Sequence, residues 1–441
     1  MAMPVPVGPK GHWFWGNMSD YAKDPLGFMT RSLEWGDIVR LRFGPRAVAF
    51  INHPDLIEQV LVTQNKSFSK HEGIRRGRLL LGDGLLLSEG DFWRRQRRLA
   101  QPAFHRDRLA TYSQVMVEQT DRMLATWRDG ERRDVHAEMM HLTLSVVAKT
   151  LFNHDVTGET DTVGKALTVA LHEWNRSMSR PDMLNKLPIP PVRRYRQATA
   201  ELDAIVYRII AERRASGDDP GDLLSMLLSA RDDDGSGMTD KQLRDEVMTL
   251  FLAGHETTAN MLAWTWYLLT QNPAVAAKLR AELDEVLGGR LPTLEDLPRL
   301  PYTEMVITES MRLYPPAPGV GREALEDVEV GGYLIPKGMS LFAMSWVMHR
   351  DPRNFEEPLV FRPERWADGL AKRLPAFAYF PFGGGPRLCI GKSFALMEGA
   401  LMLAAIAQRF AMRLAPGARV EPATAITLRP KYGMPMELHA R

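Results

Sequence analysis

The sequence predicts a mainly α-helical protein with a smaller β part, an α+β fold. Apolar residues recur at helical spacing through most of residues 91–288, while strand-like patterning appears near the N-terminus and again beyond Pro315. The 441 residues carry no internal repeat, low-complexity tract or flexible linker, so one domain spanning 1–441 is expected. Within it, a β-rich N-terminal part of about 1–70 leads into a helix-rich body of about 71–441.

The elements follow in order. A Pro/Gly-rich lead-in, "PVPVGPKGHWFWGN", comes first. "DIVRLRF" and "AVAFIN" then alternate around "GPR" as a β-hairpin does. "HPDLIEQVLVTQ" begins a helix, and "RLATYSQVMVEQTDRMLATW", "EMMHLTLSVVAKTLF", "AELDAIVYRIIAERRA" and the run 239–270 extend the helical body. The prolines of "PDMLNKLPIPP" (181–191) mark a surface loop between two helices. Beyond Pro315, "DVEVGGYLIPKG" reads as short strands and turns. A last long helix covers "FALMEGALMLAAIA", which carries Glu398 and is too short for a membrane span. "AITLRPKYGMPMELHA" closes the chain as a terminal hairpin.

Composition narrows the function. The 56 basic and 54 acidic side chains nearly cancel, so no global field favours nucleic acid or an anionic surface. A single cysteine allows neither an intramolecular disulfide nor a cysteine-based zinc site, which fits a reducing compartment. The N-terminus lacks a basic-then-apolar signal, and a cytoplasmic protein without a membrane span is expected.

That cysteine, Cys389, sits in "FPFGGGPRLCIGKSFAL" just before the last long helix. A helix N-terminus lowers a thiol's pKa and keeps it anionic. Gly383, Gly384 and Gly385 leave room for backbone amides near the sulfur, and such contacts tune a thiolate ligand. Phe382 shields one side, Arg387 offers a cation, and Gly391 permits close packing where the helix leaves. Two readings stay open on these residues: a haem-iron thiolate or a nucleophilic cysteine.

"FLAGHETTAN" (251–260) lies within a long helix. Gly254 and two threonines are poor helix-interior residues, and the Thr257 hydroxyl can bond back to the Ala253 carbonyl. A local bend there leaves space for a small ligand beside that hydroxyl and the Glu256 carboxylate. The zinc-protease motif H-E-x-x-H fails, because position 259 is alanine. "TESMRLYPP" places Glu309 and Arg312 three residues apart on one helix face, ended by Pro315 and Pro316.

The string F-x-x-G-x-R-x-C-x-G, complete from Phe382 to Gly391, resembles the haem-binding loop of the cytochrome P450 superfamily. "AGHETT" is similar to that family's oxygen-binding helix, and "FRPERW" (361–366) to the loop that adds Arg365 to the Glu309–Arg312 pair. Five motifs in the family's order cover essentially the whole chain. The resemblance implies a triangular, helix-rich prism that holds haem b (iron protoporphyrin IX) between helix and cysteine loop. Its activity would be O2-dependent monooxygenation of an apolar small molecule, most readily a fatty acid or a terpenoid.

The resemblance also implies roles. Cys389 is the axial ligand of the iron, and Glu256 and Thr257 relay protons. Trp93 and Arg97 of "FWRRQRR", with Arg322 and Arg387, hold the propionates; Phe382 and Gly391 complete the haem contacts. Glu309, Arg312 and Arg365 brace the cysteine loop and take no part in the chemistry. The loop "GDGLLLSEG" (82–90) offers Leu86 and Leu87 as substrate contacts, with Ala253, Val320 and Tyr432 as weaker candidates. Arg46 could meet a substrate carboxylate at a channel mouth, although Phe50 supplies no hydroxyl beside it. No length remains for a flavin or iron–sulfur module, so a separate ferredoxin or flavodoxin donor and a monomer are expected. Arg94, Arg95 and Arg98 face away from Trp93 and Arg97 and could form a basic docking patch. The competing functions are a haem-bound sensor or carrier without turnover, and a cysteine hydrolase using Cys389.

Overall fold

In the computed structural model of the chain, residues 3–153, 160–180, 182–232 and 235–441 are described. The helices that position the site are α1 (Gly90–Ala100), α2 (Val135–Phe152), α3 (Thr160–Ser179), α4 (Pro190–Ser216), α5 (Asp240–Gln271), α6 (Pro301–Leu313) and α7 (Lys392–Arg409). A five-stranded sheet is built from β1 (Ile38–Phe43), β2 (Arg46–Ile51), β3 (Phe68–Lys70), β4 (Val320–Ala324) and β5 (Ser340–Ala343), in the order β1-β2-β5-β4-β3. The predicted hairpin is β1–β2, closing at Phe43 opposite Arg46. β2 then pairs in parallel with β5, Val48 facing Ser340, so residues far along the chain complete the N-terminal sheet. The main sheet is therefore built from both ends of the sequence.

The end of the chain differs from the expected single hairpin. β6 (Pro422–Thr424) pairs antiparallel with β7 (Leu428–Pro430), leaving residues 425–427 as the turn. The last strand, Pro435–Ala440, instead joins a separate sheet between Arg132–Asp134 and Phe410–Leu414. Within 181–191, a short helix Asp182–Lys186 interrupts the predicted loop; Pro181 lies outside the described residues.

Helix α5 is the axis of the body. Thr239 caps it with a reciprocal capping box to Gln242, which satisfies otherwise unpaired N-terminal amides. Its first half (Leu243, Val247, Phe251) joins an apolar cluster with α3 and α4, and its second half (Met261, Leu262, Trp264) joins another with α2, α6 and α7. Full burial of each such side chain contributes about 1.5–3 kcal/mol. Gly254 lets α2 approach: a Cβ there would stand 3.0 Å from Val147 Cγ2. Trp264, wholly buried, donates from Nε1 to the Leu428 carbonyl at 2.9 Å and so ties the β6–β7 hairpin to α5. Among the described residues, no helix is long and apolar enough to cross a membrane.

Candidate active site

A cavity of about 1350 Å³ opens between α5 and the cysteine loop. Cys389 lies deep in the protein, yet its side chain is accessible because it faces this cavity. Its backbone amide donates to the Phe382 carbonyl at 3.1 Å, which folds the loop back on itself.

The three glycines work differently from the expectation. Gly385 has φ +64° and packs so closely on the Leu61 carbonyl that a Cβ would lie 2.1 Å from its oxygen. Gly384 lies flat against the Phe377 ring. The amide hydrogen-bonded to the sulfur comes from Gly391, at the start of α7. Burial outweighs that bond and the nearby Arg97 and Lys392, so the thiol's pKa is raised rather than lowered. A bound cation is thus what would hold this sulfur as a thiolate.

The wall beside the sulfur carries surplus positive charge. Arg97 donates to the Leu388 carbonyl at 2.7 Å, next to the cysteine. The Arg387 guanidinium lies 3.8 Å over the Trp93 ring and pairs with Glu89; burial lowers its pKa to about 10. Arg322 is buried with its hydrogen bond on the Gly321 carbonyl, and no described carboxylate pairs with it. Burial, with Arg322 and Arg387 nearby, depresses Lys70 to about 7. Sequence reasoning missed Lys70, since a lysine in a short strand carries no motif. With Glu89 the acid paired among them, these cations suit an anionic ligand.

On the opposite wall, Thr257 turns its hydroxyl to the Ala253 carbonyl at 2.7 Å, while α5 stays continuous through both residues. Glu256 is buried and accepts from the Thr427 hydroxyl at 2.7 Å. Burial raises its pKa, with the Thr427 bond pulling the other way. Ala253, Val320 and Leu86 line the cavity, joined by Leu85. Leu87 does not: it is buried in the apolar cluster on α5, because the loop turns by one residue relative to the expectation. Tyr432 is also misplaced, standing exposed between Arg419 and Lys431. Ile426 and Thr427, in the β6–β7 turn, take the place foreseen for it.

Glu309 and Arg312 are wholly buried and doubly bonded, at 2.9 and 2.8 Å. Arg365, Trp366 Nε1 and the Arg362 amide fill the remaining acceptor sites of Glu309 at 2.8, 2.9 and 3.0 Å. A buried carboxylate so fully satisfied offers nothing to a substrate. The expected basic patch is largely neutralised: Arg95 reaches Asp232 at 2.6 Å, Arg98 shares that carboxylate, and Arg94 pairs with Asp91. Arg46 pairs with Glu72 at 2.8 Å at the cavity mouth. His71, the histidine among the described lining residues, is occupied as a helix cap for the Gly73 amide.

An accessible thiol facing a cavity beside Arg97, Arg322 and Arg387, on this helical frame, is the arrangement expected of the haem-thiolate class. The chain belongs to the cytochrome P450 family, whose sequence profile matches residues 6–434. It is 40% identical over 426 residues to cyclooctatin synthase of Streptomyces melanosporofaciens, covering 96% of this chain and 93% of that one. Pentalenene oxygenase of Streptomyces avermitilis is 35% identical over 429 residues, covering 97% and 95%. The crystal structure of the cytochrome P450DA haem domain superposes with a TM-score of 0.90 at 30% identity, covering 100% of this chain and 99% of that one. A retinoic acid-bound cyanobacterial member gives 0.90 at 27% identity, with full coverage of both. The protein is thus a cytochrome P450 monooxygenase by family.

Proposed function

We propose that this monooxygenase hydroxylates an apolar terpenoid-class substrate, using O2 and electrons from a separate ferredoxin or flavodoxin. The observation that carries the reading is the Cys389 side chain opening into a large cavity beside Arg97, Arg322 and Arg387. These residues fit haem b: the Cys389 thiol would hold its iron, the three guanidiniums and Lys70 would meet its propionates, and Trp93 and Phe382 would pack against it. When bound, haem supplies the oxygen-activating redox chemistry.

The chain's own residues do the rest. The largely apolar lining of the cavity favours an apolar substrate over water. Glu256 holds a proton more tightly than an exposed carboxylate, and the Thr257 hydroxyl stands next to it at the cavity wall. We assign these two the delivery of protons into the cavity. Glu309, Arg312 and Arg365 keep the cysteine loop in shape. The names cyclooctatin synthase and pentalenene oxygenase put the terpenoid class ahead of fatty acids. The Arg46–Glu72 pair favours the same choice, since the Arg46 guanidinium is already engaged rather than set aside for a fatty-acid carboxylate.

The test is a spectral titration of the purified haem protein with terpenoids and fatty acids, followed by product analysis with a surrogate reductase. Terpenoids are expected to shift the haem absorption band and to be hydroxylated. A response to small polar compounds alone would refute the substrate class, and binding without product would favour a sensor or carrier.

A further inference from the structure

The loop 82–89, which covers the cavity with Leu85 and Leu86, rests on a pair of buried acids at the start of α5. The Asp83 amide donates to Asp245 at 3.0 Å, and the Leu85 amide donates to Glu246 Oε2 at 3.0 Å. The other oxygen of Glu246 accepts from Gln96 Nε2 on α1 at 2.9 Å. Gly82 and Gly84 press against the same turn of helix; a Cβ at either would stand 2.0 Å from Asp245 or 2.2 Å from Thr249. One wholly buried carboxyl therefore joins α5, α1 and the cavity cover.

The two acids are not equivalent. Asp245 is matched by Lys241 at 2.6 Å and Arg244 at 3.1 Å. No cation pairs with Glu246 among the described residues, and the surrounding charges are engaged elsewhere: Arg95 on α1 with Asp232, and Arg78 with Asp83. Burial, with Asp245 adding to it, raises the Glu246 carboxyl to about 7.

We propose that Glu246 is a positioning residue that couples closure of the substrate-covering loop, and hence substrate affinity, to uptake of one proton. The sign follows from burial. With the loop down, the carboxyl is dry and binds its proton tightly. Lifting the loop lets water reach it, which returns it toward the ordinary carboxylate range. The closed form thus holds an extra proton between about pH 5 and 7, and closure weakens as pH rises through that window and levels off above it. A neutral carboxyl still serves the closed form, accepting from the Leu85 amide and donating to the Gln96 side chain with its amide turned over.

This inference rests on the substrate reading above, and its test separates the two. In wild type, the spectral dissociation constant should rise by up to about tenfold per pH unit between pH 5 and 7, then flatten. Glu246→Gln, a neutral isostere, should bind with the same affinity across that range. Gln96→Leu removes a bond that favours the charged form, so it should move the wild-type break to higher pH. Hydrogen exchange at Leu85 needs neither haem nor substrate. At pH 8 it should be faster in wild type than in Glu246→Gln, and near pH 5 the two should match. Parallel pH curves for wild type and Glu246→Gln in both measurements would overturn the proposal, as would an unmoved break in Gln96→Leu. Loss of the reduced carbonyl spectrum in wild type would instead count against the haem reading, leaving the exchange result to stand by itself.

Discussion

Arg312 donates to the carbonyl of His349 at 2.8 Å, and His349 accepts at Nε2 from the backbone amide of Phe380 at 2.9 Å. Burial and the flanking Arg312 and Arg350 keep the imidazole neutral, its pKa lowered to about 3, so that Nε2 stays free to accept. The Glu309–Arg312 pair thereby reaches the first residue of the cysteine loop through a single residue, His349.

Arg312→Ala should therefore abolish haem-loaded, folded protein rather than slow turnover. It strands the Glu309 carboxylate without its main partner, at a cost of about 3–5 kcal/mol. Thermal melting and haem content check this, and a stable, haem-replete variant would show the pair to be dispensable.

Thr257→Ala should keep haem binding and substrate affinity while uncoupling cofactor oxidation from product. Its hydroxyl bonds within its own helix, so its loss leaves the packing nearly untouched. Hydrogen peroxide should accumulate in proportion to the lost product, and an unchanged product-to-NAD(P)H ratio would remove Thr257 from proton delivery.

Thr427→Val should shift the pH dependence of turnover. The hydroxyl it removes favours the ionised form of Glu256, so the carboxyl's pKa, already raised, climbs further. A bond to a charged group is worth about 1.5–3 kcal/mol, and a proton donor sets the alkaline limb of the kcat profile, so that limb should move up by about one to two pH units. Glu256→Gln should lower turnover and lose that limb. A limb that stays in place in Thr427→Val would assign it to another group.

Gly385→Ala should cost far more haem loading than Gly383→Ala. Both glycines have positive φ, of +64° and +70°, and both pay about 1–2 kcal/mol for a left-handed side chain. Only at 385 does the new methyl also meet backbone, the Leu61 carbonyl at 2.1 Å, whereas at 383 its nearest neighbour is Val320 Cγ2 at 3.9 Å. Equal haem contents in the two variants would contradict this.

Glu398 in α7 should make stability fall on the alkaline side. It is wholly buried, and burial raises its carboxyl to about 8. A folded-state pKa above the unfolded one contributes stability that is full below about 4.5 and is lost as pH rises through 8. The melting temperature should drop over that interval in wild type and drop less in Glu398→Gln; parallel curves would place the loss elsewhere.

What the sequence made legible were features written in local spacing. The cysteine string, the Ala253–Thr257 register and the Glu309–Arg312 pair depend on neighbours a few residues apart. What it concealed depends on partners brought from afar. Leu87 and Leu85 exchange roles because a loop has no period to say which side chain faces inward. Tyr432 was displaced from the cavity because β7 pairs with β6, moving the tip of the terminal turn to residues 425–427. The docking patch was lost to Asp232, 137 residues beyond Arg95. The thiol's pKa moved opposite to the helix-terminus argument because desolvation outweighs a single amide.

The short turn between β6 and β7 joins two tasks on neighbouring side chains. Ile426 forms part of the cavity wall, and Thr427 holds the Glu256 carboxyl. On the proposed proton role of Glu256, selectivity and coupling efficiency are therefore set by one turn. A graft that redraws this wall to admit a new molecule will disturb the neighbouring acid unless it retains a hydroxyl at position 427. An engineer who swaps the turn whole changes both features together, and one who changes only residue 426 can redraw the cavity wall while leaving the Glu256–Thr427 bond in place.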